Sequence, residues 1–472
     1  MVRPKIIQGG MGIGVSSWVL ARAVSRLGQL GVVSGTAIDV LLARRLQDGD
    51  FGGHMRRALD HFPFPKMADR VQGRYFVAGG RPADQPYRAI PMHSQSSARE
   101  LTELCIAANF VEVFLAREEH DGLVGVNYLE KIQFPVLPSL YGAMLAGVDV
   151  VLMGAGIPTR IPGILDRFAN HEPATYPLSI TGAREGDDTS LRFSPGEFLE
   201  SDLPPLKRPF FVPIISSYTL ALTLVKKANG RVDGFVIEGP TAGGHNAPPR
   251  GKTPLSATGE PVYGERDAVD LGKIRQLGLP FWLAGGCGTA EGLRDALEKG
   301  AAGIQVGTAF AFCEESGLLE KYKNLVLKKA AAGVARVFTD PIASPTGFPF
   351  KVAAVEGSLS EEDEYLARSR TCDLGYLREA YRKEDGTVGY RCASEPLPTY
   401  LAKGGREEDA DGRKCLCNAL AANVGHPQVR SEGAAERPLI TSGDDLGEIC
   451  RFLPPGASSY TARDVITKLL EG

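Results

Sequence analysis

The sequence predicts an α/β protein built as a TIM (β/α)8 barrel. Three observations carry that expectation. Short apolar runs end in Gly or small polar residues and recur along the chain, with segments of helical character between them. The runs are apolar at consecutive positions rather than alternating, as in VDVVLM and FFVPII, which is how a strand covered on both faces of a parallel sheet reads. About eight strand–helix units fit into roughly the first 315 residues, which favours a closed barrel over an open doubly wound sheet.

Taken in order, the expected strands are Lys5–Gln8 before GGMG, Gly31–Ser34 before GT, Leu123–Asn127, and Asp149–Met153 before GAGIP. Then come Phe210–Ser216, Gly234–Glu238 before GPTAGGH, Pro280–Ala284 before GGCG, and Gly303–Val306 before GTAF. Ser17–Leu27 spaces its apolar residues as a helix and runs into Gly28. Ala290–Lys299 has Thr289 as its N-cap, an acidic first turn, a basic end and Gly300 as its stop. Two stretches break the rhythm. Residues 50–122 and 157–209 read as insertions at strand ends, the second holding TYPLSITGA and LRFSPGEF as a small hairpin. The barrel is expected over 1–355. A C-terminal extension over 356–472 carries a charged helix in SLSEEDEYLARS, a Cys-bearing segment and a terminal helical stretch that docks back on the barrel.

Composition narrows the function. The 472 residues are 43% hydrophobic and 23% charged, which excludes a mainly disordered chain. Lys+Arg 53 against Asp+Glu 56 gives a net charge of −3, so nothing points to nucleic acid or an anionic membrane. Mean hydropathy is −0.09, and no apolar run approaches the ~20 residues of a membrane span. The opening MVRPKIIQGGMG lacks the apolar stretch of a secretory signal, so a cytoplasmic location is expected. Gly is common at 56 residues, about 12% against a background of ~7%.

Many of those glycines stand at strand ends, where a ligand lies close to the backbone. In WLAGGCGTAEGLRDALEKGAAGIQVGTAF one strand ends in Gly285-Gly286 and the next in Gly307-Thr308. Either turn alone reads as ordinary turn chemistry. Two turns one short βα unit apart match the phosphate site that barrels place after their last two strands. His245 follows Gly243 and Gly244 in VIEGPTAGGHNAPPRG and precedes Pro248-Pro249. An imidazole with an unperturbed pKa of ~6.5 in that setting is a general base, a hydrogen-bond donor or a plain loop cap. The sequence contains no G-x-S-x-G, no HExxH and no P-loop.

Taken together, IIQGGMG, LVGVN, EGPTAGGH, LAGGCGTAEGLRDALEKGAAGIQVGTAF and SPTGFPF resemble the nitronate monooxygenase (2-nitropropane dioxygenase) family. The related flavin-dependent enoyl-acyl-carrier-protein reductases belong to the same superfamily. The resemblance spans roughly residues 4–355 without the two insertions. It implies an FMN-binding barrel that oxidises nitronates or related small carbon acids with O2. By matching motif positions, Gly9, Gly10 and Met11 would line the flavin ring and Asn127 would hydrogen-bond it. Gly243 and Gly244 would flank it, and Gly285, Gly286, Gln305, Gly307 and Thr308 would hold the phosphate tail. His245 matches the family's active-site histidine. Met11 also reads as plain core filler. The family's His motif carries an acidic residue where this chain has Thr241, and Arg250 follows the His. That departure bears on the substrate more than on the flavin. Arg250 reads as a solvated loop residue or as an attractant for an anionic substrate.

Three functions follow for testing. The first is the O2-dependent FMN oxidoreductase. The second is an FMN- and NAD(P)H-dependent enoyl-thioester reductase. The third is a binding module that kept the barrel and lost the chemistry. Each takes a small-molecule partner, and a homodimer is among the assemblies allowed. Four of the 8 Cys cluster in the extension: Cys372, Cys392, Cys415 and Cys417. Four thiolates with one C-x-C pair suit a structural zinc site or an iron–sulfur cluster. The alternative is four buried thiols acting as small hydrophobes.

Overall fold

A computed structural model describes residues 3–251, 254–430 and 433–471. Eight parallel strands form the central sheet: β1 (Ile6–Gln8), β2 (Gly31–Ser34), β3 (Val124–Leu129), β4 (Val150–Gly154), β5 (Phe210–Ile215), β6 (Phe235–Glu238), β7 (Phe281–Ala284) and β8 (Gly303–Val306). Their spatial order is β1-β8-β7-β6-β5-β4-β3-β2. The two ends meet: Gln8 N donates to Leu30 O at 2.9 Å and Leu30 N to Ile6 O at 3.1 Å. This is a TIM barrel, with every strand at its sequence-expected place.

Residues pointing into the barrel are apolar and fully buried. Ile7, Val32, Val150, Leu152, Val212, Val236 and Trp282 form one cluster. Trp282 fills the lower end, its Nε1 donating to Pro4 O at 2.8 Å. At the upper end of β1 the buried residue is polar. Gln8 accepts from Val32 N at 2.9 Å and donates to Ser16 Oγ at 2.7 Å. Ser16 Oγ in turn donates to Gly9 O and accepts from Met11 N, each at 2.8 Å. A buried amide with all its bonds made holds its surroundings in one geometry. Here that geometry is the course of the Gly9–Met11 loop.

The predicted helices form with their expected caps. Thr289 accepts from Gly292 N at 2.8 Å to start the helix Ala290–Glu298. The stretches read as insertions contain parts of the helical ring. Arg99–Arg117 packs against Ile38–Gln47 and Val136–Leu145, and Ile161–Ala169 follows β4 as a barrel helix. The excursions proper are therefore shorter than 50–122 and 157–209. The expected hairpin is present, Ala174–Pro177 pairing antiparallel with Ser190–Phe193.

Beyond Ala353 the chain turns back over the barrel mouth. The hairpin Glu379–Arg382 with Val388–Arg391 extends onto Ile180–Thr181 of the second excursion. The helix Ala462–Leu470 buries Val465, Ile466 and Leu469 against Trp18–Arg26 and Ala290–Glu298. No helix among the described residues is long and apolar enough to cross a membrane.

Close strand packing yields a test. A Cβ on Gly303 would lie 2.0 Å from Lys5 O, backbone that cannot move without opening the β1–β8 ladder. Gly303→Ala is expected to lower stability by at least ~2 kcal/mol in urea unfolding, as overpacking against fixed backbone does. A change under ~0.5 kcal/mol would contradict this packing.

Candidate active site

The strand tips converge on one cavity of about 230 Å³. Gly9, Gly10, Met11, Asn127, Gly243, Gly244, His245, Gly285, Gly286, Gln305, Gly307 and Thr308 all line it. The motifs read from sequence are thus brought together in space.

Each wall has a local cause. A Cβ on Gly10 would lie 2.4 Å from Asn127 Cβ, so only glycine lets Asn127 sit at the tip of β3. Asn127 Nδ2 donates to Gly10 O at 2.9 Å, while its Oδ1 is buried without a partner. Gln305 Oε1 on β8 is in the same state. Two orphaned amide oxygens in one cavity call for a ligand carrying donors. Gly285 and Gly286 adopt φ of +90° and +69°, which L side chains avoid. Thr241 packs onto that turn, its Oγ1 lying 2.9 Å from where a Gly285 Cβ would stand.

The extension supplies walls the sequence reading did not assign. Thr441 Oγ1 accepts from Gly244 N at 3.0 Å, and Gly443 N donates to Thr308 Oγ1 at 3.1 Å. The segment is tied down by the fully buried Lys351, whose Nζ meets Asp444 Oδ1 at 2.6 Å and Thr339 Oγ1 at 2.8 Å. Asp445 also borders this end, burial raising its carboxyl above the ordinary value while Thr308 pulls it down. The opposite end is apolar: Leu129 and Ile132 face Tyr376, Leu377, Leu416 and Leu420 of the extension. Tyr376 is held from behind, its hydroxyl donating to Asp39 Oδ1 while Asp39 Oδ2 meets His93 Nε2 at 2.7 Å. Asp39, His93 and Cys105 are the one close group of metal-ligating side chains among the described residues. The carboxylate–imidazole contact there is a hydrogen bond, which accounts for the cluster.

His245 owes its place to the SPTGFPF loop. Its Nε2 lies 2.7 Å from Ser344 Oγ, and Ser344 is bonded on to Thr346 Oγ1 at 2.8 Å. Phe350 presents its ring edge-on at 4.8 Å between centroids. Asn246 N donates to Pro349 O and Lys351 N to Gly244 O, each at 3.0 Å, so the two loops run as a pair. Burial, with a smaller push from Lys131, lowers the His245 pKa to about 4. The ring is therefore neutral at pH 7. Glu238, at the end of β6, lines the same cavity and shifts the other way: burial lifts it to about 8. Sequence reading missed Glu238 by counting it as strand. The available signal was a carboxylate closing the apolar run FVI. Arg250 is exposed and donates to Ser216 O at 2.9 Å, consistent with a loop role.

The cysteine cluster corrects an expectation. Cys372 lies near enough to Cys392 to raise its own thiol and lower that of Cys392, and Cys392 Sγ lies 3.2 Å from Ser394 Oγ. Cys415 and Cys417 pack in an apolar cluster with Ile13, Leu41 and Tyr376. Four thiolates on one zinc stand about 3.8 Å apart, given Zn–S of ~2.3 Å. No three of these four sulfurs lie within 4.8 Å of one another. The arrangement does not fit a tetrahedral ion or a cluster, and the thiols here serve the packing of the roof.

The site's chemistry is a glycine-lined cradle with free amide acceptors, a neutral imidazole and a buried carboxyl. Comparisons with known proteins agree on where it lies. Residues 207–342 match the nitronate monooxygenase family model. A nitronate monooxygenase of Pseudomonas aeruginosa is 36% identical over 200 residues, 42% of this chain and 52% of that protein. A probable nitronate monooxygenase of Bacillus subtilis is 32% identical over 133 residues, 27% and 36% of the two chains. The chain thus spans about half or less of the length of the curated relatives it matches. Among solved structures, FabK from Thermotoga maritima aligns with a TM-score of 0.48 at 16% identity, covering 99% of this chain and 92% of that one. The stretch from β5 past β8, which carries Glu238, His245 and both glycine turns, lies within the residues that match the nitronate monooxygenase family model.

Proposed function

We propose that the cavity binds FMN and that the protein is an FMN-dependent oxidoreductase of the nitronate monooxygenase type, oxidising nitronates or related small carbon acids with O2. One observation carries the reading: two buried, unpartnered amide oxygens, on Asn127 and Gln305, belong to side chains that line a cavity rich in glycine at the strand tips. Bound FMN supplies the two-electron redox chemistry that no side chain offers. Asn127 would accept from the one N–H of the oxidised ring, and Gln305 from a hydroxyl of the tail that leads to the phosphate. Gly9–Met11 would lie along the ring, with Met11 beside Gly307. The Gly285–Gly286 and Gly307–Thr308 turns, with Gly443 behind them, would hold the phosphate tail.

His245 is the base. With Nε2 donating to Ser344 Oγ, Nδ1 keeps a free lone pair. That tautomer is our assignment from the hydrogen-bond pattern. Burial keeps the ring unprotonated, so it is ready to take a proton from an acidic carbon at neutral pH. The loop pair Ala242–His245 and Ser344–Phe350 fixes its orientation, which is the protein's share of the work.

A second reading has a specific observation behind it. Leu129, Ile132, Leu377, Leu416 and Leu420 make the far end of the cavity apolar, more than a small nitronate needs. That end suits the chain of an enoyl thioester, with NAD(P)H as reductant.

The deciding measurement is the absorbance spectrum of the purified protein, followed by heat release and identification of the pigment. Flavin bands and released FMN are expected. A colourless protein that stays colourless with added FMN overturns the reading. Anaerobic NAD(P)H separates the two functions: slow or no bleaching fits the oxidase, rapid bleaching the reductase. His245→Gln is expected to lower kcat/KM by about 10²–10⁴-fold while flavin content stays unchanged. Loss of flavin in that variant would make the histidine structural.

The pH dependence of stability follows from the lowered His245 pKa. Between pH 6.5 and about 4 the unfolded chain takes a proton that the folded chain refuses, so this group lowers stability as pH falls through that window. His245→Gln is expected to lose less stability than the parent between pH 7 and pH 5 in paired urea titrations. Parallel losses would show that the ring is not desolvated.

A further inference from the structure

The cavity holds a second titratable group that nothing above has used. Glu238 closes β6 and lines the cavity with its side chain. Burial alone sets its state, for among the described residues no donor or cation stabilises its carboxylate. The charged and titratable groups around it do not alter this. Tyr263 is close enough to feel its charge, but its hydroxyl donates to Ala247 O at 3.0 Å. Lys131 acts on His245 and sits over the Phe348 ring. Arg250 is engaged by the Ser216 carbonyl. An acid that lines the cavity without a hydrogen-bond partner of its own is available to what the cavity binds.

We propose that Glu238, which shares the cavity with His245 and has no partner of its own, donates a hydrogen bond to the substrate oxygen on which negative charge develops, while His245 takes the proton. The proposal deepens the function given above and rests on it. The step balances as follows. The C–H bond of the substrate's acidic carbon breaks and its proton goes to His245. The electron pair enters the adjacent N=O or C=O system and its charge settles on oxygen, where the Glu238 O–H donates. For a nitronate that arrives already deprotonated, the same oxygen is met without the proton step. A preorganised donor at a forming oxyanion strengthens as the reaction proceeds, which is what catalysis requires. An ionised carboxylate at that place would repel the same oxygen, so the neutral form is essential. Keeping an acid neutral in an apolar site so that it can donate is a known catalytic device. The substrate class is thus a planar, delocalised oxyanion or its conjugate carbon acid, whether nitro or thioester.

Nitrate is a planar, unreactive oxyanion and serves as the probe. Its binding to the flavin-loaded protein is measured by calorimetry at pH 6.5 and 9.5. In the parent protein affinity is expected to fall at least about tenfold at the higher pH, as the donor form is depleted. Glu238→Gln keeps a donor that cannot ionise, so it should bind nitrate within about threefold of the parent at pH 6.5 and show no such fall. Glu238→Ala should bind about tenfold more weakly at pH 6.5. Failure of nitrate to bind at pH 6.5, an affinity independent of pH, or a Glu238→Ala variant that binds normally overturns the proposal. Infrared spectroscopy at pH 7 should also show a protonated-carboxyl band that Glu238→Gln removes, and its absence overturns the proposal as well. The band needs neither flavin nor substrate. A protein that shows it but binds no FMN therefore refutes the function proposed above and not the state of Glu238.

Discussion

Desolvation at the barrel mouth governs the rest of this structure. Tyr376, Leu377, Leu416, Leu420 and residues of the 441–445 segment line the cavity with the strand tips and take the groups there partly out of solvent. The same low-dielectric setting pushes His245 down to about 4 and Glu238 up to about 8, because burial disfavours whichever form is charged. An uncharged imidazole and an uncharged carboxyl therefore coexist between about pH 4 and about pH 8. Neither state needs a dedicated ion pair; both depend on the roof.

The roof is itself held by few polar contacts. The pair of buried Lys351 with exposed Asp444 and the Gly443–Thr308 bond anchor the segment over the glycine turns. The Tyr376–Asp39–His93 chain anchors the apolar side. Below, the Gln8 amide fixes the Gly9–Met11 loop. Each anchor ties at least one buried polar group to a partner, which confers geometric precision at little net gain in stability.

The sequence made the barrel and its glycine turns legible because both are local features. A strand covered on two faces shows in consecutive apolar residues, and a backbone that must take positive φ shows in glycine. His245 was legible for the same reason, standing in a glycine-rich turn. Glu238 was hidden in plain view, since nothing local distinguishes a solvated strand end from a desolvated one. The residues of the roof were illegible as site residues because their role comes from long-range packing. Leu416 lies far from β3 in the chain yet faces Leu129 across the cavity. The four cysteines suggested ligands by their spacing, while in the structure Cys392 meets Ser394 and Cys415 and Cys417 pack in an apolar cluster.

The order of the chain also places the making of this site in time. The barrel's strands are all synthesised by residue 306, whereas the loop that backs Thr308 comes only at 441–445. During synthesis the half-built protein therefore exposes an open, wet cup. That cup stays open from above until the covering residues emerge, and the roofed chamber exists only once the later segment has folded down.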